Sequence, residues 1–254
     1  SVDAASDAVS AIVGEGIVPA ALEMIDGLAI RALEQVMQTG YPRDAGAVLL
    51  IELEGIIEDV DTMGAAVENI LLNSGAKSVR TAEDETERSQ LWSGRKGAIG
   101  AIGVLAPNYY LVDGVVPRTK IKSIMRTISA YSEEYDLPIA NIFHAGDGNI
   151  HPCVLFDERQ PGMTEKAVHV GEKILEACVS LGGTLTGEHG VGLEKKGQMP
   201  LLFSPEDMDT MKKVRDSFAP KNLFNPGKIF PGGPEFDRSL QKGAFANAGT
   251  GSYV

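Results

Sequence analysis

Two short segments that hold three of the four histidines constrain the fold of this chain more than any other feature. The first segment, residues 143–151, reads Phe-His-Ala-Gly-Asp-Gly-Asn-Ile-His, and its Asp147-Gly148 dipeptide is a strong signal for a two-residue hairpin turn. With the turn at this dipeptide, His144 pairs with His151 across two antiparallel strands. Both imidazoles then lie on one face of a sheet, with Cβ atoms about 4.5–5.5 Å apart. The sequence therefore predicts a β-hairpin that brings two histidines together.

Two paired imidazoles can share a metal ion, and the second segment, Gly-Glu-His-Gly over residues 187–190, adds the carboxylate of Glu188. Two histidines and one carboxylate form a ligand set that leaves metal positions open to substrate. Zinc, iron and manganese all accept this set, so we expect a divalent metal of one of these kinds. The alternatives are structural. A lone histidine is more often a hydrogen-bonded packing residue, as we expect for His169, and a glycine-flanked Glu-His can be a simple turn.

Composition excludes several classes of partner and location. The 254 residues, 43% of them hydrophobic, can form one large domain or two small ones. A net charge of −12 argues against nucleic acid or an anionic membrane as the general partner. The two cysteines, Cys153 and Cys178, favour a reducing compartment over a disulfide framework. With no long apolar stretch and no export leader in this sequence, we expect a cytoplasmic protein.

The order of helix and strand signals predicts an α+β fold. We expect a ferredoxin-like, mainly antiparallel sheet with helices packed on one side, plus a C-terminal helical segment. Periodicity and capping residues predict helices over residues 3–14, 19–39, 58–73, 83–95, 117–135 and 164–181 and from residue 204 onward. Alternating and β-branched runs predict strands over residues 47–53, 77–81, 109–116, 138–144 and 149–156. The Gly- and Ala-rich residues 232–254 are expected to form a flexible tail.

Familiar phosphate-binding and nucleophile motifs are absent from the sequence. It has no G-x-G-x-x-G after a strand, no Walker loop and no G-x-S-x-G elbow. The glycine-rich residues 182–187 lack a following lysine at phosphate-loop spacing. We interpret them as a tight entry that brings Glu188 and His189 to the sheet, with an ordinary exit from a helix as the alternative.

Three motifs, in this order, resemble the C-terminal domain of FAD-linked 2-hydroxyacid oxidoreductases. This family includes glycolate oxidases, D-lactate dehydrogenases and D-2-hydroxyglutarate dehydrogenases. The motifs are His-Ala-Gly-Asp-Gly-Asn-Ile-His-Pro at residues 144–152, Gly-Thr-Leu-Thr-Gly-Glu-His-Gly-Val-Gly at 183–192 and Asn-Leu-Phe-Asn-Pro-Gly-Lys at 222–228. The likeness extends from about Ala5 to Pro231 and is greatest toward the flavoprotein subunit of bacterial glycolate oxidases. We therefore expect residues 1–231 to be one substrate- and metal-binding domain.

The resemblance implies a role for each residue of the two histidine segments. His144, His151 and Glu188 would hold the metal, which strengthens the assignment of Glu188 as a ligand. His189 would be the general base, a task that suits an imidazole with a pKa near neutrality.

Four further residues have weaker assignments. Arg95 resembles the family's anchor for the substrate carboxylate, which its planar guanidinium can bind through two hydrogen bonds; a surface charge on a helix is the alternative. Asn149 is expected to hydrogen-bond a ligand or the substrate. Asn225, in the third motif, is expected to contact the cofactor. Asp147 is interpreted as a turn residue.

The resemblance also implies a cofactor and partners. FAD would be bound mainly by an N-terminal domain that this sequence does not contain, so we expect the chain alone to bind no flavin and to be inactive. Further oxidase subunits, including an iron–sulfur subunit, are implied, and through them an association with the inner face of the membrane.

The substrate is expected to be a small 2-hydroxyacid, oxidised to the 2-oxoacid by hydride transfer to flavin. Residues 109–113 read Tyr-Tyr-Leu-Val-Asp without a lysine, and Pro152 and Cys153 follow His151. This lack of extra basic groups favours a monocarboxylate, glycolate or D-lactate, over a dicarboxylate. Two other classes stay open: a metal-dependent hydrolase that uses the His/His/Glu site, and a non-catalytic assembly domain.

Overall fold

Five strands form an antiparallel sheet in the computed structural model, which describes residues 1–232. The sheet order is β2-β1-β5-β7-β3, and every neighbouring pair is antiparallel. The short strands β4 and β6 form a separate antiparallel pair. The strands are β1 Ala21–Asp26, β2 Ala47–Glu52, β3 Asn108–Leu111, β4 Gly114–Val115, β5 Ile139–Phe143, β6 Asn149–Ile150 and β7 Pro152–Phe156.

Helices cover both faces of this sheet. They are α1 Val2–Gly14, α2 Gly27–Val36, α3 Ile57–Asn73, α4 Glu85–Ala101, α5 Ile121–Glu134, α6 Met163–Ser180 and α7 Pro205–Phe218. Helices α1, α3, α5 and α6 share one apolar cluster with one face of the sheet, and α2 and α4 share a second cluster with the other. None of the helices within residues 1–232 is long and apolar enough to cross a membrane.

The predicted fold class, α+β with an antiparallel sheet, is confirmed. The expected helical layer on one side is present, but α2 and α4 add a second layer, because β5 and β7 are buried on both faces. The expected C-terminal helical segment is α7, and it starts with a capping box in which Ser204 and Asp207 exchange hydrogen bonds. Residues 233–254 of the predicted tail lie outside the described residues.

The prediction of one helix over residues 19–39 was wrong. The first part is strand β1, and the helix α2 starts only after Asp26. The Asp26 side chain accepts a hydrogen bond from the backbone N–H of Ala29, which caps α2, and others from the backbone and side chain of Asn141 on β5. These long-range bonds favour a strand in a segment whose local pattern also suits a helix.

Four smaller predictions also differ from the structure. The expected strand over residues 77–81 does not form. The expected strand over 109–116 is divided into β3 and β4. The expected strand over 149–156 is divided into β6 and β7, which belong to different sheets. A short 3₁₀ turn at Arg118–Lys120 separates Pro117 from the helix that was expected to begin there.

The hairpin that carries the histidines has a different register from the predicted one. His144 pairs with Asn149, so residues 145–148 form a four-residue loop in place of a two-residue turn. Neighbouring strands hold this loop: the Gly146 N–H donates to the Leu22 carbonyl at 2.9 Å, and the Val116 N–H donates to the Gly148 carbonyl at 3.0 Å. The predicted direct pair of His144 with His151 was therefore wrong at the level of the backbone.

Gly148 is required in this loop for two reasons. Its φ is +72°, a backbone conformation that residues with a side chain rarely adopt. In addition, a Cβ there would lie 2.1 Å from the Val116 carbonyl oxygen. We expect Gly148→Ala to lower the free energy of unfolding by about 1–2 kcal/mol for the left-handed backbone and by about 1–3 kcal/mol more for the steric overlap. Urea denaturation would measure the loss.

Gly162 provides the matched control, because its φ is +81° but a Cβ there would meet nothing within 4 Å. Gly162→Ala should therefore show only the backbone cost. Equal losses for the two variants would contradict the close packing of the loop against β4.

Candidate functional site

The loop after α6 reaches the hairpin by pairing with strand β4. Thr184 and Val115 exchange backbone hydrogen bonds of 3.1 Å in both directions. A Cβ at Gly183 would lie 1.8 Å from the Val115 carbonyl oxygen, so this close approach needs a glycine. This geometry agrees with the interpretation of the glycine-rich segment as a tight entry for Glu188 and His189.

The three predicted metal ligands lie together at the end of the sheet. The rings of His144 and His151 are 5.4 Å apart between centroids and nearly perpendicular. Glu188 Oε1 lies 3.6 Å from His144 Nε2 and 3.3 Å from His151 Nε2. One ligand atom from each of the three residues falls within 4.8 Å of the others. The side chains thus converge although the strand register differs from the predicted one.

The donor set and its hydrogen bonding fit a divalent cation. His151 is only 3% exposed, and its Nε2 lies 3.3 Å from Glu188 Oε1 and 3.5 Å from Asp113 Oδ1 without the geometry of a hydrogen bond to any group in the described residues. A buried polar atom without a partner is costly, so a cation against Nε2 would remove that cost. Two imidazoles and a carboxylate suit zinc, iron or manganese. The residues present therefore fit the metal that the sequence predicts.

The buried carboxylate of Asp113 organises the loop that carries Glu188 and His189. It accepts hydrogen bonds from the Thr186 hydroxyl, from the backbone N–H groups of residues 187–189 and from Lys195 Nζ, which is itself buried. Burial would raise the pKa of this carboxyl, but the interactions with His151, Lys195 and Thr186 outweigh burial and hold the pKa well below its usual range. Asp113 is therefore an ionised anchor for the loop.

A second possible ligand group, made of Asp113, His151 and His189, also falls within 4.8 Å. Its carboxylate already accepts hydrogen bonds from the loop and from Lys195. A cation there would have to displace these donors. We therefore favour the group that contains Glu188, whose side chain is half exposed.

Sequence reasoning missed Glu23, which lies beside His144. Its carboxylate is buried, with Oε1 2.7 Å from His144 Nδ1 and Oε2 2.8 Å from Arg95 Nε. Burial raises the pKa of Glu23, but His144 and Arg95 outweigh it and lower the pKa, so the carboxylate is ionised at neutral pH. A glutamate that interrupts an apolar run is the available signal, and the prediction of a helix in this segment obscured it.

Arg95 points into the site from α4. Its side chain is only 13% exposed and is paired with Glu23, so the alternative of a surface charge on a helix does not hold. His189, in contrast, is 40% exposed. Its ring stacks on His151 with centroids 5.1 Å apart. The Arg95 guanidinium can bind the carboxylate of a small molecule, and the accessible imidazole of His189 can take a proton from the same molecule.

Asn149 and Asn225 have different surroundings. The amide of Asn149 packs on Gly187, where a Cβ would come within 2.4 Å of it, and its Oδ1 is buried without a hydrogen-bond partner in the described residues. Asn225 lies in the C-terminal segment, where the Ile229 N–H donates to the Gly192 carbonyl at 2.7 Å. Its predicted contact with the cofactor stays a prediction.

Asp147 and His169 lie where the structural interpretations put them. Asp147 is in the hairpin loop, where its N–H donates to the His144 carbonyl. His169, on α6, contacts the ring of Tyr135 edge-on at 5.7 Å.

Two solved enzyme structures share the fold at low sequence identity. The chain is similar to p-cresol methylhydroxylase with substrate bound, with a TM-score of 0.64, 13% identity and coverage of 88% of this chain and 50% of that one. It is also similar to 4-ethylphenol oxidase from Gulosibacter chungangensis in its isoeugenol complex, with a TM-score of 0.62, 12% identity and coverage of 89% and 51%. At these identities the likeness establishes the fold alone.

Sequence relatives are much closer. The chain is 47% identical over 231 residues to the glycolate oxidase subunit GlcD of Escherichia coli K12, covering 91% of this chain and 46% of that protein. It is 38% identical to the GlcD subunit of Bacillus subtilis, with coverage of 91% and 49%. It is 30% identical to a probable mitochondrial D-lactate dehydrogenase of Danio rerio, with coverage of 90% and 46%. The chain thus spans about half the length of these relatives.

A family model supports the same relationship over almost all the described residues. Residues 1–229 match the model described as FAD linked oxidases, C-terminal domain. This confirms the resemblance that the three sequence motifs indicated. The chain belongs to the family of C-terminal domains of FAD-linked oxidases.

Proposed function

We propose that this chain is the substrate- and metal-binding domain, residues 1–231, of an FAD-dependent enzyme that oxidises glycolate or D-lactate to the 2-oxoacid. The convergence of His144, His151 and Glu188 beside Arg95 and His189 carries the proposal. The names of the relatives, glycolate oxidase subunits and D-lactate dehydrogenases, support the substrate class. Since two of these relatives are named as subunits, we expect the whole protein to work with further subunits.

His144, His151 and Glu188 would hold zinc, iron or manganese through two ring nitrogens and a carboxylate oxygen. When bound, such an ion polarises the substrate hydroxyl and lowers its pKa. Glu188 lies on a loop fixed by Asp113, so its carboxylate meets the imidazoles without a large rearrangement.

Arg95 would bind the substrate carboxylate. Because its Nε donates to Glu23, the guanidinium plane is fixed and its Nη groups are left to donate to a ligand. Asn149 adds a buried amide oxygen without a partner in the described residues, which can accept a hydrogen bond from the substrate.

His189 would take the hydroxyl proton on Nε2, the nitrogen that lies 3.7 Å from Glu188 Oε1. FAD bound by the rest of the protein would supply an acceptor for the Cα hydrogen, which leaves as hydride. The alcohol would then become a carbonyl, with its hydroxyl proton on the His189 imidazole and the Cα–H electron pair on the hydride acceptor.

A substrate panel tests this proposal. The full-length protein that contains this chain, loaded with FAD, is mixed anaerobically with glycolate, D-lactate or D-2-hydroxyglutarate, and flavin reduction is followed by absorbance. We expect the highest kcat/KM for glycolate or D-lactate, because the site lacks a second basic group on β3. A large preference for 2-hydroxyglutarate would contradict the substrate class. Metal-dependent ester hydrolysis without flavin reduction would instead favour a hydrolase.

A further inference from the structure

One buried carboxylate contacts both halves of the candidate site. Glu23 lies on β1 and is only 7% exposed. Its two oxygens have different partners: Oε1 lies 2.7 Å from His144 Nδ1, and Oε2 accepts a hydrogen bond of 2.8 Å from Arg95 Nε. A single side chain thus joins the candidate metal ligand to the candidate anchor of the substrate carboxylate.

We propose that Glu23 is a positioning residue that fixes the tautomer of His144 and the orientation of Arg95 together, so that it supports metal binding and substrate binding at once. This inference rests on the proposed function, because it assumes that His144 binds a metal and that Arg95 binds a carboxylate.

The first part of the argument concerns the proton on His144. An ionised carboxylate only accepts hydrogen bonds, so the short contact with Glu23 requires the proton to be on Nδ1. In the neutral ring, which is the form that binds a metal, Nε2 then keeps its lone pair, and this nitrogen is the one that faces Glu188 at 3.6 Å. A carboxylate behind a ligating histidine fixes ring orientation and makes the imidazole a better ligand.

The second part concerns Arg95. A guanidinium that donates through Nε to a buried carboxylate is held in one plane, and its outer nitrogens have a fixed direction. The side chains of both partners are largely shielded from solvent, so water competes little for this contact. Without Glu23, Arg95 would be a buried cation without its partner and would change orientation to find another.

Glutamine at position 23 cannot accept from both partners as the carboxylate does, although it has nearly the same shape. If its oxygen faces Arg95, its NH₂ group donates to His144 Nδ1 and moves the ring proton to Nε2, where it blocks the metal. If its oxygen faces His144, the NH₂ group meets the Arg95 Nε–H and two donors oppose each other. The first orientation gives His144 the wrong tautomer and leaves Arg95 only a neutral acceptor, whereas the second opposes two donors at Arg95 and leaves His144 only a neutral acceptor.

Glu52 offers a matched control. It lies on β2, next to β1, and also pairs with an arginine of α4, since its Oε1 lies 2.6 Å from Arg88 Nη2. Glu52→Gln therefore removes a carboxylate between the same sheet and the same helix. The Glu52 side chain pairs with Arg88 and with none of the candidate site residues described above.

The test compares Glu23→Gln with Glu52→Gln in the full-length, FAD-containing protein. Zn²⁺ affinity is measured by competition with a chromophoric chelator, and the KM for glycolate or D-lactate is measured at saturating Zn²⁺. For Glu23→Gln we expect Zn²⁺ affinity to fall, by up to about 10–100-fold, and the KM to rise, because both partners lose a charged acceptor, whereas Glu52→Gln should change neither. Unchanged Zn²⁺ affinity or unchanged KM in Glu23→Gln would overturn the inference and leave the proposed function intact.

The wild-type protein gives a second readout that does not depend on the variant. In the Zn²⁺-loaded protein, ¹⁵N NMR of the histidine rings should show His144 protonated on Nδ1 and coordinated through Nε2. Coordination through Nδ1 would overturn the inference alone. Failure of the wild type to bind Zn²⁺, Fe²⁺ or Mn²⁺ would overturn both the proposed function and this inference.

Discussion

His151→Ala is expected to remove the metal from the protein and to abolish flavin reduction by the substrate. The side chain contributes one of three converging ligand atoms, and its Nε2 is the buried nitrogen without a hydrogen-bond partner in the described residues. Loss of a residue that hydrogen-bonds a ligand weakens metal binding about 10–100-fold. Loss of a direct ligand should weaken it by more than this. Metal content after dialysis and the rate of anaerobic flavin reduction measure the two effects.

His169→Ala is the matched control, because it makes the same change on α6, in a histidine that contacts Tyr135 and none of the candidate ligands. This variant should keep its metal and its activity. A His151→Ala protein that folds, retains one metal ion per chain and reduces flavin normally would show that His151 packs the site without ligating.

His189→Ala is expected to slow flavin reduction by about 10²–10⁴-fold, the usual contribution of a general base. Metal and flavin should both stay bound, because the ring is half exposed and the loop is held by the backbone N–H of His189, which donates to Asp113. Single-turnover mixing with substrate gives the rate, and absorbance and metal analysis of the same sample give the occupancy.

Substitution by glutamine separates basicity from shape at this position. His189→Gln keeps a polar group beside His151 but cannot take a proton at neutral pH, so it should be as slow as the alanine variant. Normal reduction kinetics in either variant would reject His189 as the base. Loss of metal in both would mean that His189 belongs to the ligand set.

The side chains of the site were easier to predict than the backbone that positions them. His144 and His151 were proposed from residue type and turn chemistry, and Glu188 was added with the support of the family resemblance; the structure brings the three together. The register of the hairpin was predicted wrongly, because the preference of Asp147-Gly148 for a two-residue turn is weaker than the hydrogen bonds that the loop makes to β1 and β4.

The two buried carboxylates were missed for a related reason. Glu23 and Asp113 contact residues more than seventy positions away, so neither role has a local pattern. An acidic residue that follows a strand, as Asp113 does, or that interrupts a buried apolar run, as Glu23 does, needs a partner once it is buried. Such positions are the sequence signal for residues that hold a site in place.

Anomalous diffraction from a crystal of the metal-loaded protein tests the central claim most directly. We expect one peak at coordination distance, about 2.0–2.2 Å, from ligand atoms of His144, His151 and Glu188. A peak bound instead by Asp113, His151 and His189 would contradict the assignment of the ligands and of the base. No peak between the two imidazoles would contradict the proposal of a metal site.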